Sequence, residues 1–373
     1  MSIRPFQLER YLDRYEFTTP LNLSCSACET VSIGELLALA GESLQSLSAL
    51  RLGYTETQGD PALRESISSF YQEASAGDVI VTNAPEEGIF LAMETLLEPG
   101  DRVVVQTPCY QSLIELARHK GCDVQPWTVQ ESSAGWRLDL DNLDALLAGA
   151  RLLVVNFPHN PTGLLPTKEE FHSIFQKAER AGARLFSDEM YRGLEPLPEQ
   201  RLPAGTDLHP GVVSLWGMSK TFGLPGLRIG WLVTRDADLR ERILSFKDYT
   251  TICSSAPGEL LARIALDAAD CLMERGLGLI RDNLALTQSF METWKQTFRW
   301  QDPQAGPVTL ARLQTGSAER FCDLAREEAG VLLVPSSVFD FGDRHIRLGL
   351  GRASYPQGLQ ALETWLRSRS APS

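Results

Sequence analysis

No apolar run in the 373 residues reaches the roughly 18 to 20 positions that a membrane-crossing helix needs, so no membrane partner is expected. Positive charge is also short. Lysine and arginine total 35 against 48 aspartates and glutamates, a formal net charge of -13, which leaves no electrostatic footprint for nucleic acid or an anionic membrane. The seven cysteines (25, 28, 109, 122, 253, 271 and 322) are odd in number and scattered, so a disulfide scaffold is not indicated. Cys25 and Cys28 form a CxxC, but no second pair or nearby histidine completes four zinc ligands. The chain lacks GxxxxGK[ST], and GLPGLRIG (223–230) precedes a strand instead of joining strand to helix, which excludes a dinucleotide fingerprint. The opening MSIRPFQLERYLDRYEF is too charged for a secretory signal, and the expected location is the cytoplasm.

What is present is alternation. DVIVTN (78–83), DRVVVQT (101–107), CDVQPWTV (122–129), RLLVVNF (151–157), ARLFSD (183–188), VVSLW (212–216) and LRIGWLVT (227–234) read as strands. Amphipathic helices separate the earlier ones. Strands that are apolar throughout suit a parallel sheet covered on both faces. Beyond residue 238 the pattern changes: 239–247, 257–271 and 277–298 read as long helices, and VTLARL, GVLLVP and HIRLGLG are mixed segments before a closing helix. We expect an α/β fold with three parts: an N-terminal segment of a small domain (1–50), a large α/β domain (51–262) and a C-terminal small α+β domain (263–373).

Polar groups gather where the strands end. Asn83, Pro108-Cys109-Tyr110, Asn160, Asp188 and Ser219-Lys220 each fall at or just after the C-terminal end of an apolar run, the edge where an open α/β sheet forms its ligand crevice. One lysine, one carboxylate, one asparagine and several tyrosines cannot assemble a metal site, but they suit a planar aromatic cofactor.

On these residues, and on the stretches NFPHNPTG, LFSDEMYRG, MSKTFGLPGLRIG and FKDYTTICSSAP, the chain resembles the fold type I pyridoxal-phosphate enzymes. Among them it is most similar to the class I/II aminotransferases, and to their branch with capreomycidine synthase-like cyclases. The resemblance implies a mostly parallel central sheet in a large domain, a smaller α+β domain and pyridoxal 5'-phosphate as cofactor. It implies that Lys220 holds the cofactor as an imine and, once displaced by substrate, moves a proton between Cα and the cofactor's C4'. Asp188 matches the carboxylate on the pyridine nitrogen, Tyr191 and Asn160 the groups on the ring oxygen, and Tyr110 the ring that stacks on the cofactor. Arg228 matches the phosphate-gripping guanidinium, and Ser219 is a further phosphate donor. Tyr54 matches the tyrosine that reaches the neighbouring subunit's phosphate, which implies a homodimer with shared active sites. Arg347 matches the clamp on an α-amino acid's carboxylate.

Two departures accompany the likeness. The usual small-residue phosphate cradle is here Ala84-Pro85-Glu86-Glu87: proline has no N–H to give, and a carboxylate beside a phosphate must turn away or carry a proton. Three residues before Lys220 the family's common hydroxyl is replaced by Gly217. Arg228 and the helix N-terminal amides of 86–88 are expected to supply the anchoring, with Pro85 and Glu86 lining the site. Transamination is the expected reaction; elimination followed by ring closure on a guanidine is the alternative. Glu9, as a carboxylate for a guanidinium, and Ser24 and Cys25 of LSCSAC are the candidate substrate contacts, with Ser24 and Ser26 read as pocket lining.

Overall fold

The computed structural model describes residues 3–133 and 135–370. Its central feature is a seven-stranded sheet in the order Val79–Asn83, Ile229–Val233, Val212–Gly217, Arg184–Asp188, Ala150–Asn156, Arg102–Thr107, Asp123–Thr128. All pairings are parallel except those of Ile229–Val233, which runs antiparallel to both neighbours. Both faces are covered, as apolar strands require: Val105, Val154, Phe186 and Leu232 join one buried cluster, Val104, Leu153 and Val155 another. Pro126 sits in the edge strand, where its missing N–H costs the ladder least.

A second, antiparallel sheet is ordered Phe298–Arg299, Val308–Leu313, His345–Gly349, Val334–Pro335. Its core, including Val308, Ala311, Ile346 and Leu348, also takes in Leu23 from near the N-terminus. The N-terminal chain reaches this sheet region through a parallel pairing of Leu21–Asn22 with Val331–Leu332.

Two expectations are corrected. The helix read over 257–271 ends at Asp267; after Ala268 (φ -106°, ψ 16°) one 25-residue helix runs Ala269–Thr293. The strand read from Leu227 begins only at Ile229, because Pro225–Leu227 forms a 3-10 turn and Arg228 adopts left-handed backbone (φ 55°). No helix among the described residues is long and apolar enough to cross a membrane.

Candidate active site

The register Gly230 opposite Gly217 and Ile229 opposite Asn83 brings two strand ends to one edge, and parallel pairing adds Asp188, Asn156 and Thr107. Loops leaving that edge carry Tyr110, Asn160, Tyr191 and Lys220. The crevice foreseen from the strand ends is therefore a real convergence.

Lys220 follows its strand by three residues. Its carbonyl accepts from the backbone N–H of Cys28 (3.2 Å) and of Gly223 (3.2 Å), and its Nζ donates to Ser26 Oγ (2.9 Å). Desolvation holds the amine below the ordinary lysine pKa; Cys25 and Glu9 oppose the fall and Arg347 adds to it. Sequence reasoning set Ser26 aside as lining, since nothing in LSCSAC marks a hydroxyl whose partner lies 194 residues away.

Asp188 is 5% exposed, and its Oδ1 accepts from Met190 N–H at 3.1 Å. Burial pushes its pKa to about 7, the Met190 hydrogen bond works against that, and the charges of Glu189 and Lys220 push in opposite directions. Glu189 points elsewhere, its Oε1 accepting from Gly205 N–H (2.8 Å) and Ser214 Oγ (2.7 Å), as strand alternation requires. Tyr191 is buried, and its hydroxyl lies beside Ser26 without a hydrogen-bond partner. Asn160 is fixed from behind: Asn156 Oδ1 accepts its N–H at 2.8 Å, and Asn156 Nδ2 in turn donates to the Asp188 carbonyl at 3.0 Å.

Arg347 is 1% exposed. Its Nη2 donates to the Ser24 carbonyl (2.9 Å) and its Nη1 to Asn160 Oδ1 (3.4 Å), and its guanidinium lies 5.3 Å from the Phe339 ring centre. Its Nε has no partner. Ser24 spends its own N–H and hydroxyl on Asn22 Oδ1, so it meets Arg347 through its backbone. Cys25 lies close enough to act on the charges of Lys220, Arg347 and Tyr191.

At the other end, Tyr110 donates to Glu9 Oε1 at 2.9 Å, and Phe6 packs 4.9 Å from its ring. Glu9 thus has a fixed side-chain partner and is not a purely solvated helix face. Glu86 has turned from the helix start toward Ser112, whose hydroxyl donates to its Oε1, while its Oε2 has no partner. Burial raises the Glu86 pKa; Ser112 lowers it, Glu9 raises it, and Tyr110 and Arg228 lower it. Two carboxylates therefore flank one phenol.

The helix Pro85–Leu96 starts without a side-chain cap after Ala84, which takes φ 77°. Its first-turn N–H groups are free of intrahelical partners by geometry, as an anion site requires. Gly217 is explained here: a Cβ on it would come 2.8 Å from Pro85 Cγ and 2.9 Å from Gly230 Cα. Pro85 and a residue-217 hydroxyl compete for one space. Arg228 is exposed, with Nη1 donating to Pro225 O at 3.1 Å, and Ser219 is buried. Tyr54 is 92% exposed. Among the described residues no three His, Cys, Asp or Glu side chains could hold a metal ion.

The buried groups fit pyridoxal phosphate. Asp188 is a buried carboxyl whose charge a cationic ring nitrogen would stabilise, and Tyr191 Oη is a donor without an acceptor. Lys220 is an amine whose pKa burial lowers, and the helix start at Pro85 has no side-chain cap.

Comparison with known proteins agrees. The model of the family described as aminotransferase class I and II matches residues 26–359. A capreomycidine synthase of Streptomyces vinaceus is 31% identical over 365 residues, 95% of this chain and 92% of that one. An aspartate aminotransferase of Thermotoga maritima is 26% identical over 88% of this chain and 87% of its own. Among solved structures, a PLP-dependent aminotransferase from Streptococcus suis 89-1591 superposes with TM-score 0.93 at 27% identity, covering 100% of both chains. The PLP-dependent cyclase OrfR superposes with TM-score 0.91 at 31% identity, covering 99% of each. With the family model spanning residues 26–359 and a relative 31% identical over 95% of the chain, the chain belongs to the class I and II aminotransferases and is a pyridoxal 5'-phosphate enzyme.

Proposed function

We propose that the chain transfers the amino group of an α-amino acid, with Lys220 as the residue that both holds the cofactor and moves the Cα proton. The observation that carries this is a desolvated lysine whose charge acts on a buried carboxyl driven to about pKa 7, with the buried Arg347 close enough to act on the lysine. The cofactor, when bound, supplies a ring that takes up the electron pair left when Cα loses its proton. Asp188 would keep the ring nitrogen protonated. Tyr191 and Asn160 would hold the ring oxygen, and Tyr110 would stack on the ring. The first-turn amides from Glu86 onward, Ser219 and Arg228 would hold the phosphate, with Pro85 at the helix start beside them. Arg347 takes the substrate α-carboxylate, held in place by the Ser24 carbonyl and Asn160, with Cys25 alongside. Lys220, its pKa lowered by burial, is the residue that would take and return the Cα proton.

The second reading is loss of water from a hydroxylated arginine followed by ring closure to a cyclic guanidino amino acid. Glu9 favours it, since its carboxylate, already accepting from the Tyr110 hydroxyl, is a group suited to a guanidinium. The capreomycidine synthase and the cyclase at 31% identity point the same way.

The working unit we propose is a homodimer in the cytoplasm. Leu52 (83% exposed), Tyr54, Tyr249 (90%) and Ile252 (52%) form an exposed apolar patch, and Thr55 Oγ1 donating to Ser254 O at 3.4 Å brings the two segments together.

The test is to incubate the loaded enzyme with a panel of amino acids, arginine and a hydroxylated arginine included, and to follow products by mass spectrometry. Amine exchange with a keto acid across several substrates supports the first reading; loss of water from the hydroxylated arginine alone supports the second. Neither, with Lys220 unmodified after borohydride treatment in the presence of cofactor, would overturn both.

A further inference from the structure

The segment from Ser24 to Glu29 is pinned on all sides by glycines that leave it no room. A Cβ on Gly349 would fall 2.0 Å from the Cys25 carbonyl oxygen, one on Gly351 2.8 Å from that of Ala27, one on Gly223 2.3 Å from that of Glu29, and one on Gly276 2.9 Å from Cys28 Sγ. The Cys28 N–H adds a hydrogen bond to the Lys220 carbonyl. Backbone held this tightly fixes whatever its side chains present. What it presents to Lys220 is the Ser26 hydroxyl, at 2.9 Å from Nζ.

We propose that Ser26 is a docking hydroxyl for the free amine of Lys220, a positioning residue that holds the amine at one point whenever it is not bonded to the cofactor. The inference rests on the proposed role of Lys220. A lysine amine sits on a flexible four-carbon stem. Once substrate has displaced it, the amine must stay within reach of the Cα proton, and each additional rotamer it samples dilutes the reactive one. A hydroxyl on a rigid strap selects one. Ser26 also adjoins Tyr191, whose hydroxyl has no partner, so the strap orders the amine and faces the phenol from the same point.

Around the amine the charged and titratable groups are Asp188, Cys25, Cys28, Arg347, Glu9 and Glu16. The Ser26 oxygen accepts a hydrogen bond, which favours the ammonium over the amine. Losing it lowers the lysine's pKa further.

The experiment uses the full chain freed of cofactor. The rate at which Lys220 captures pyridoxal 5'-phosphate, followed by visible absorbance from pH 6 to 10, reports the amine's pKa. Ser26→Ala is expected to move the midpoint down by about half a unit. In the loaded variant kcat falls about tenfold while KM for the amino acid stays within about twofold. Ser26→Thr, which keeps the hydroxyl, is expected to restore both, and thermal melts of all three chains register any loss of folding. A midpoint unmoved in Ser26→Ala, or a shift that Ser26→Thr fails to reverse, overturns the docking role. A wild-type chain that captures no cofactor at Lys220 overturns the proposed function, and the docking role with it, a result distinguishable from the other two.

Discussion

Asp188 is a buried carboxyl whose cost depends on its proton. In the cofactor-free chain its pKa rises from 3.8 to about 7, first through desolvation. A carboxyl whose folded pKa exceeds its unfolded one stabilises the fold relative to its ionised form below the unfolded value, and that contribution is lost as pH rises through about 7. Asparagine keeps the shape and has no proton to lose. In urea titrations of the cofactor-free proteins, Asp188→Asn is therefore expected to gain on wild type by about 2 kcal/mol between pH 5 and pH 8. A gap that does not change with pH would show that Asp188 is relieved by some other means. Glu195 and Glu259 are raised in the same direction but are common to both proteins, while Glu189 and Glu86, whose charges act on Asp188, are relieved of that repulsion in the variant and add to its gain. Asp188 was legible in the sequence because it ends an apolar strand, and strand ends converge by topology alone. Ser26 and the turn of Glu86 toward Ser112 were not, since each depends on a partner brought in by tertiary packing.

A pair of elements explains the chain's departure from the common phosphate cradle. The helix beginning at Pro85 lies against the ends of the Val212–Gly217 and Ile229–Val233 strands so closely that Cβ atoms on Gly217 and Gly230 would come 2.8 Å and 2.5 Å from Pro85 atoms. Proline at the first helical position costs no hydrogen bond, and its ring fills the space a serine would occupy. Restoring the hydroxyl alone should therefore fail. Gly217→Ser is expected to destabilise the chain by about 2 kcal/mol through overpacking. Adding Pro85→Ser should recover part of that but not all, since a Cβ at 217 would still meet Gly230 Cα at 2.9 Å and the Ile229 carbonyl oxygen at 3.0 Å. Differential scanning calorimetry checks it; additive losses in the double variant would mean that Pro85 is not the clashing group. The sequence shows both residues as oddities but not their coupling, because 132 positions and a sheet register separate them. The same limit hid the break at Ala268, where amphipathic spacing carries on across a one-residue interruption.

At the scale of the whole molecule the unexplained feature is a tyrosine facing outward. Tyr54 lies on one strap with Leu52, beside Tyr249 and Ile252, and a lone chain gains nothing by exposing four large apolar side chains together. A twofold partner would cover the patch and carry Tyr54 toward the other chain's crevice, each subunit completing its neighbour's site. Sedimentation equilibrium is then expected to give twice the 41.3 kDa chain mass. Complementation is the sharper measurement. In the proposed dimer, Lys220→Ala would have no amine and Tyr54→Ala would lack the residue lent across the interface, so each homodimer would be impaired at both sites. In a hybrid of the two, one site carries both defects and the other carries neither. Unfolding and refolding an equal mixture makes half the dimers hybrid, so about a quarter of wild-type activity should return, well above either parent. If the mixture performs no better than the mean of its parents, Tyr54 serves its own subunit or none, and the apolar patch must be explained by something other than a shared active site.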